Sequence, residues 1–381
     1  MISLASKLPN IGTNIFSVMS QLAADHKAIN LSQGFPDFEC PPELINLVSK
    51  HMRKGHNQYA PMPGIPALRE RISDKIKSLH SVTYDPETEI TVTAGGTQAI
   101  FTALAAVIQP NDEVIILEPA YDCYSPSIRL LGGLVKTFEL SSPDYKIDWD
   151  MLKKLISSHT RLIILNSPHN PTGMILAEED IRQLTHLTQN TDILILSDEV
   201  YEHIVFDGEP HLSMARYPQL RERSFIVASF GKLFHNTGWK MGYCVAPSWL
   251  MAEFRKVHQF LVFSVNTPVQ YALADFMLNE NFYLELKDFY QQKRDIFREL
   301  MLQTRFDLLP CQGSYFQCVK YNRIANEPDT EFARRLTSDF GVAGIPVSAF
   351  YNRRTDEHVL RFCFAKKQET LEKAVERLIK V

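Results

Sequence analysis

Ser229-Phe230-Gly231-Lys232, followed by Gly238-Trp239-Lys240-Met241-Gly242-Tyr243, decides how this chain is read. The lysine stands just past an apolar run, Phe225-Ile226-Val227-Ala228, that predicts a buried strand. An amine at such a point is costly to keep charged, because desolvation disfavours the ammonium form. That cost is useful where the amine must be a nucleophile or carry a Schiff base. Upstream, the apolar run Ile193–Leu196 ends at Ser197-Asp198-Glu199-Val200-Tyr201. Further upstream, Leu162–Leu165 leads into Asn166-Ser167-Pro168-His169-Asn170-Pro171-Thr172-Gly173. Three apolar strands thus each deliver polar chemistry at their C-terminal ends. In open α/β sheets that edge is where ligands bind.

Working outward, strands and helices alternate from about Ile90 to Ala246, which predicts a sheet covered by helices on both faces. Strands are expected at Ile90–Thr93, Val114–Leu117, Val135–Phe138 and Tyr243–Ala246, with helices over Gln98–Ile108 and Asp148–Ser157. After Pro268 the pattern turns helical, notably from Asp288 to Arg298. Short strands follow at Tyr315–Val319 and Val359–Phe364, then a helix from Gln368 to Lys380. A chain of 381 residues is long for one core, so two domains are expected. The expected division is a large domain over 40–280 and a smaller α+β domain built from 1–39 and 281–381.

A net charge of −4 gives no long-range pull towards nucleic acid or anionic membrane. Six cysteines show neither a CxxC pair nor metal-finger spacing, so free thiols in a reducing compartment and no metal site are expected. The opening residues lack a basic stretch followed by an apolar core, so no secretory leader is expected, and no run of about 18 apolar residues that would span a membrane is present. The expectation is a cytoplasmic globular protein.

The Asn-Pro-Thr-Gly turn, the Asp-x-x-Tyr pair and the Ser-x-x-Lys segment are modestly specific singly and very specific in this order. With Leu31-Ser32-Gln33-Gly34-Phe35-Pro36-Asp37 and Arg361-Phe362-Cys363-Phe364-Ala365, they resemble a class I pyridoxal-phosphate aminotransferase of fold type I over nearly the whole chain. The finer resemblance is to the bacterial methionine aminotransferase branch, near the kynurenine and glutamine transaminases. Asn14-Ile15-Phe16-Ser17-Val18-Met19, Tyr59-Ala60-Pro61-Met62-Pro63-Gly64 and Phe263-Ser264-Val265-Asn266-Thr267-Pro268 carry it. Leu233 departs from the pattern, standing where relatives have a small or hydroxyl residue. The resemblance implies a mostly parallel seven-stranded sheet in the large domain, whose Tyr243–Ala246 strand runs antiparallel.

It also implies roles. Lys232 would be the Schiff-base lysine, later free to move a proton at the substrate Cα. Asp198 would keep the pyridine nitrogen of pyridoxal 5′-phosphate protonated, so that the ring can accept electrons. Tyr201 and Asn170 would donate to the cofactor's phenolate oxygen; a three-residue spacing sets Asp198 and Tyr201 on one face of a helical turn. Alone, an Asn-Pro turn would account for Asn170 and core packing for Tyr201. Gly95-Gly96-Thr97 at a helix start would take the phosphate on free N–H groups, helped by Ser229 and by Lys240, where the family often has arginine. Tyr59 resembles the residue that reaches the phosphate of a neighbouring subunit, which implies a homodimer with shared sites. Tyr121 would lie flat against the cofactor ring. Arg361 would bind the substrate α-carboxylate through its planar fork, with the Gly34 backbone close by.

These residues address groups common to all amino acids. With no second arginine in a motif position, and with Phe16 and Phe263 in apolar surroundings, a neutral donor is expected. Methionine comes first, then phenylalanine, histidine or glutamine, with a 2-oxo acid as acceptor in a ping-pong cycle. Kynurenine transamination and cysteine-conjugate β-elimination are the enzymatic rivals. A cofactor-binding DNA regulator is the remote one, since the motif block opens already at Leu31.

Overall fold

The computed structural model describes residues 4–9 and 11–381, so the first residues of the expected 1–39 segment lie outside it. Seven strands form the central sheet: β1 (Ile90–Thr93), β2 (Glu113–Glu118), β3 (Leu134–Glu139), β4 (Thr160–Asn166), β5 (Leu194–Asp198), β6 (Ser224–Ser229) and β7 (Gly242–Val245). They lie in the order β1-β7-β6-β5-β4-β2-β3. All neighbours pair in parallel except β7, which runs antiparallel to both β6 and β1, as the resemblance implies.

Five of the longer helices are α1 (Ile15–Asp25), α2 (Gly96–Val107), α3 (Ser248–Leu261), α4 (Leu286–Met301) and α5 (Gln368–Leu378). Side chains alternate across a strand, so each strand feeds two cores. Val114, Ile116, Leu162, Ile164, Leu196, Phe225 and Val227 meet Ala99, Ile100, Ala103 and Leu104 of α2 and Leu250, Met251 and Phe254 of α3. Their neighbours Ile115, Leu117, Ile163, Leu165, Ile195 and Ile226 join a larger core on the opposite face. That core continues into the C-terminal layer through Phe316, Phe362 and Phe364. Burial on both faces explains why these strands read as unbroken apolar runs rather than alternating ones.

The C-terminal layer holds an antiparallel sheet of β8 (Asp307–Leu308), β9 (Phe316–Lys320), β10 (Ile345–Pro346) and β11 (Val359–Cys363), in the order β10-β11-β9-β8. Ile29–Asn30 pairs in parallel with Val342–Ala343, tying the segment that follows α1 into this layer. The expected helix over 148–157 is much shorter, Trp149–Lys153. Asp148 caps its start by accepting from Met151 N at 3.0 Å. The Ser157 hydroxyl then donates to Glu113 at 2.7 Å, turning the chain into β4. All six cysteines are free thiols. Among the described residues no helix is long and apolar enough to cross a membrane.

Candidate active site

A cavity of about 210 Å³ opens at the C-terminal edges of β4, β5 and β6. Every site residue named from the sequence lines it except Tyr59.

Lys232 lies in the single turn Phe230–Leu233 that follows β6. The turn needs Gly231, where a Cβ would come within 2.9 Å of the Thr237 backbone. The Lys232 amine donates to Tyr315 Oη at 2.9 Å and to the Gly34 carbonyl at 3.2 Å. It lies 5.4 Å from the ring centres of both Tyr201 and Tyr315. Desolvation lowers its pKa to about 8; Arg361 and Lys240 push the same way, and Cys363 and Asp198 oppose. At pH 7 roughly a tenth of such an amine is neutral, against well under a hundredth for an ordinary lysine.

Asp198 is the last residue of β5 and is buried. It accepts from Tyr124 Oη at 2.5 Å and from Val200 N at 3.3 Å. Burial raises its carboxyl to about 6, against the pull of those hydrogen bonds and of Lys232. The chain beyond Asp198 is a turn and not the helical turn expected from the spacing. Tyr201 still reaches the cavity, its ring edge-on to Tyr315 at 5.0 Å. Asn166 Nδ2 donates to the Asp198 carbonyl at 2.9 Å, and Asn166 Oδ1 accepts from Asn170 N at 2.8 Å. The ends of β4 and β5 are thereby locked together, with Asn170 turned towards β11.

Arg361, on β11, is fully buried. One Nη donates to Asn170 Oδ1 at 2.6 Å and the other to the Ser32 carbonyl at 2.9 Å. Its Nε has no partner. The guanidinium lies 3.9 Å from the Phe316 ring centre and 5.2 Å from that of Phe16, which α1 carries. Gly34 fits because a Cβ there would come 2.8 Å from Phe316. Asn14 caps α1, accepting from Phe16 N at 2.7 Å.

At the opposite end, α2 begins at Gly96 without a side-chain cap, so its first N–H groups point into the cavity region unpaired. Gly95 has φ 83° and ψ 172°, a conformation open essentially to glycine alone. A Cβ on Gly95 would sit 3.5 Å from Lys240 Nζ, so the ammonium lies over the helix start. Helix dipole, free N–H groups and a lysine together form an anion cradle. Tyr121 Oη is 3.5 Å from Thr97 Oγ1.

Tyr59 is 81 % exposed and packs edge-on against Phe263 at 5.3 Å, outside this cavity. Phe263 does not line the cavity either, so of the apolar segments expected at the substrate only the one bearing Phe16 does. Leu233 is buried in the core behind the turn. Sequence reasoning missed Tyr124, Tyr315, Asn166 and Gln33. Tyr124 follows Tyr121 within one motif and could have been caught as the partner a buried aspartate requires.

Residues 26–378 match the family model of aminotransferase class I and II. The chain is 49% identical to the methionine aminotransferase of Escherichia coli (strain K12), covering 98% of this chain and 97% of that one. It is 33% identical to the kynurenine–oxoglutarate transaminase of Dictyostelium discoideum, over 98% of this chain and 95% of the other. Among solved structures, Escherichia coli YbdL, described as having a methionine aminotransferase function, superposes with a TM-score of 0.98. It is 48% identical and covers 100% of both chains. The chain therefore belongs to the class I and II aminotransferases and is an amino acid transaminase.

Proposed function

We propose that this enzyme moves the amino group of a neutral amino acid, methionine first, to a 2-oxo acid, with pyridoxal 5′-phosphate held in the cavity. Family and fold imply that cofactor. The donor set fits it: an anion cradle at Gly95, Gly96, Thr97 and Lys240, a buried carboxylate at Asp198, and a low-pKa amine at Lys232. Asp198, raised to about 6 by burial, lacks a cationic partner in contact, and a protonated ring nitrogen would supply one. Bound there, the cofactor supplies an electron sink for the pair left at the substrate Cα.

The chain's own residues do the rest. Ser229 and Lys240 add a hydroxyl and a charge to the phosphate end. Tyr121 forms an aromatic wall of the ring slot. Asn170 and Tyr201 would hold the ring by donating to its oxygen. Arg361 takes the substrate carboxylate, its unpartnered Nε and stacked guanidinium leaving a fixed fork available. Lys232, neutral in useful amount, takes the proton from Cα.

The observation that carries the substrate class is the cavity's cation inventory. Among the described residues, Lys232, Lys240 and Arg361 are its only lysines and arginines, and each already has a task. Phe16 and Phe316 form the wall beside Arg361, so a distal carboxylate would be buried without a partner. The 49% identity to a methionine aminotransferase supports the same donor. Steady-state assays with methionine and aspartate test this; methionine should be favoured in kcat/KM by about 100-fold or more. Equal turnover of aspartate would overturn it. The aromatic wall and the kynurenine–oxoglutarate relative also favour kynurenine as a second donor. We further propose a homodimer with shared sites, and a large domain over 40–280 with 1–39 and 281–381 as the smaller one.

A further inference from the structure

We propose that Tyr315 is a positioning residue for Lys232, parking the free amine against the Gly34 carbonyl so that it meets the substrate Cα in one orientation. The inference rests on the reading of Lys232 as the base. Three polar atoms form a closed triangle. Lys232 Nζ is 2.9 Å from Tyr315 Oη and 3.2 Å from Gly34 O, and Tyr315 Oη is 2.5 Å from Gly34 O. A phenol has one proton and free lone pairs. Here the proton goes to the Gly34 carbonyl, which turns a lone pair towards the amine.

Neither partner of the amine can follow it if it swings away. The Tyr315 ring is fully buried among Phe316, Tyr201 and Tyr290, at 4.9, 5.0 and 5.7 Å. The loop bearing Gly34 is held from behind by Lys366, which donates to the Phe35 carbonyl at 2.7 Å. A lysine on a four-carbon stem otherwise samples many rotamers, and misplacing a base by about 1 Å costs on the order of 100-fold in rate. Burial holds the Tyr315 phenol well above its ordinary pKa, so it stays protonated and cannot replace Lys232 as base. It acts through the lysine.

Other groups also face the amine: Asp198 from β5, Arg361 and Cys363 from β11, Lys240 ahead of β7, and the Tyr201 ring. All remain in Tyr315→Phe, which removes the Tyr315 hydroxyl together with its hydrogen bond to the Tyr201 phenol. Tyr201→Phe is the control that separates the two, since it leaves Tyr315 on the amine and should not shift the labelling curve of Lys232. The test is a single turnover of methionine by the full-length enzyme loaded with pyridoxal phosphate, followed across the pH range. The plateau rate should fall about 10–100-fold, with half-saturation changed by no more than about twofold. The ammonium form loses an acceptor, so the rising limb of the profile should move to lower pH.

Competitive acetylation of Lys232, read by mass spectrometry in protein loaded with pyridoxamine 5′-phosphate, reports the amine directly. It should show the same downward shift. An unchanged plateau with an unchanged labelling curve would overturn the proposal, as would an effect on KM alone. Should Tyr315→Phe not fold, 3-fluorotyrosine at 315 keeps the ring and weakens the acceptor, and a smaller shift in the same direction is expected. If the wild-type enzyme leaves methionine untouched, the reading of the base fails, while the labelling curve still decides the role of Tyr315.

Discussion

At the scale of single residues, the site is built from groups that burial holds away from their ordinary protonation. Asp198 is the clearest case, its carboxyl raised to about 6 from an ordinary 3.8. Between those values the folded chain holds a proton that the unfolded chain has released. The resulting stabilisation is complete at lower pH and is lost as pH rises through about 6. In cofactor-free protein, Asp198→Asn should flatten this slope in urea titrations at about pH 4 and 7. A difference on the order of 1–3 kcal/mol is expected to disappear. The same variant should bind pyridoxal phosphate and turn over poorly, because the ring nitrogen loses its anion. Arg361→Lys keeps charge but not the fork. It should raise KM by about 10–100-fold for several amino acids alike, measured by steady-state kinetics on methionine, phenylalanine and glutamine.

At the scale of elements, the polar groups of the cavity sit where strands end, and glycines allow the close approaches. Gly95→Ala forces a side chain into φ 83°, ψ 172° at the start of α2. A strain of about 1–3 kcal/mol is expected, seen as a lower Tm, together with roughly tenfold weaker cofactor binding by fluorescence titration. The seven strands were legible because burial on both faces leaves long apolar runs, each with a polar terminus. The places of Lys232, Asp198 and Asn170 at the cavity were legible for the same reason, each lying at or a few residues past the C-terminal end of a strand. Tyr315 and Tyr124 were not. Each is an aromatic within apolar sequence, and only tertiary contact shows that its hydroxyl meets Lys232 or Asp198. The helix expected over 148–157 was overextended: it stops at Lys153, and the chain beyond tightens into three-residue turns, Leu155 N to Leu152 O and Ile156 N to Lys153 O, which the apolar pattern does not distinguish from a helix. Tyr201 reached the cavity by a turn and not by the helical spacing used to link it to Asp198.

At the scale of the whole molecule, Tyr59 carries the dimer proposal. It lies outside its own chain's cavity, in contact with the exposed Phe263, and Phe260, three residues before Phe263, is exposed as well. If Tyr59 completes a neighbour's phosphate site, mixing Tyr59→Ala with Lys232→Ala subunits should restore activity that neither has alone. Random pairing leaves roughly a quarter of the sites intact. No recovery after subunit exchange would place Tyr59 outside the machinery. The most direct test of the account is a single half-reaction without acceptor. Enzyme loaded with pyridoxal phosphate is mixed with methionine, and the products are identified by mass spectrometry. The account requires one equivalent of the 2-oxo acid of methionine per site, with the cofactor recovered as pyridoxamine phosphate, and neither from Lys232→Ala. No oxo acid from the wild type, or equal yield from the variant, would contradict it.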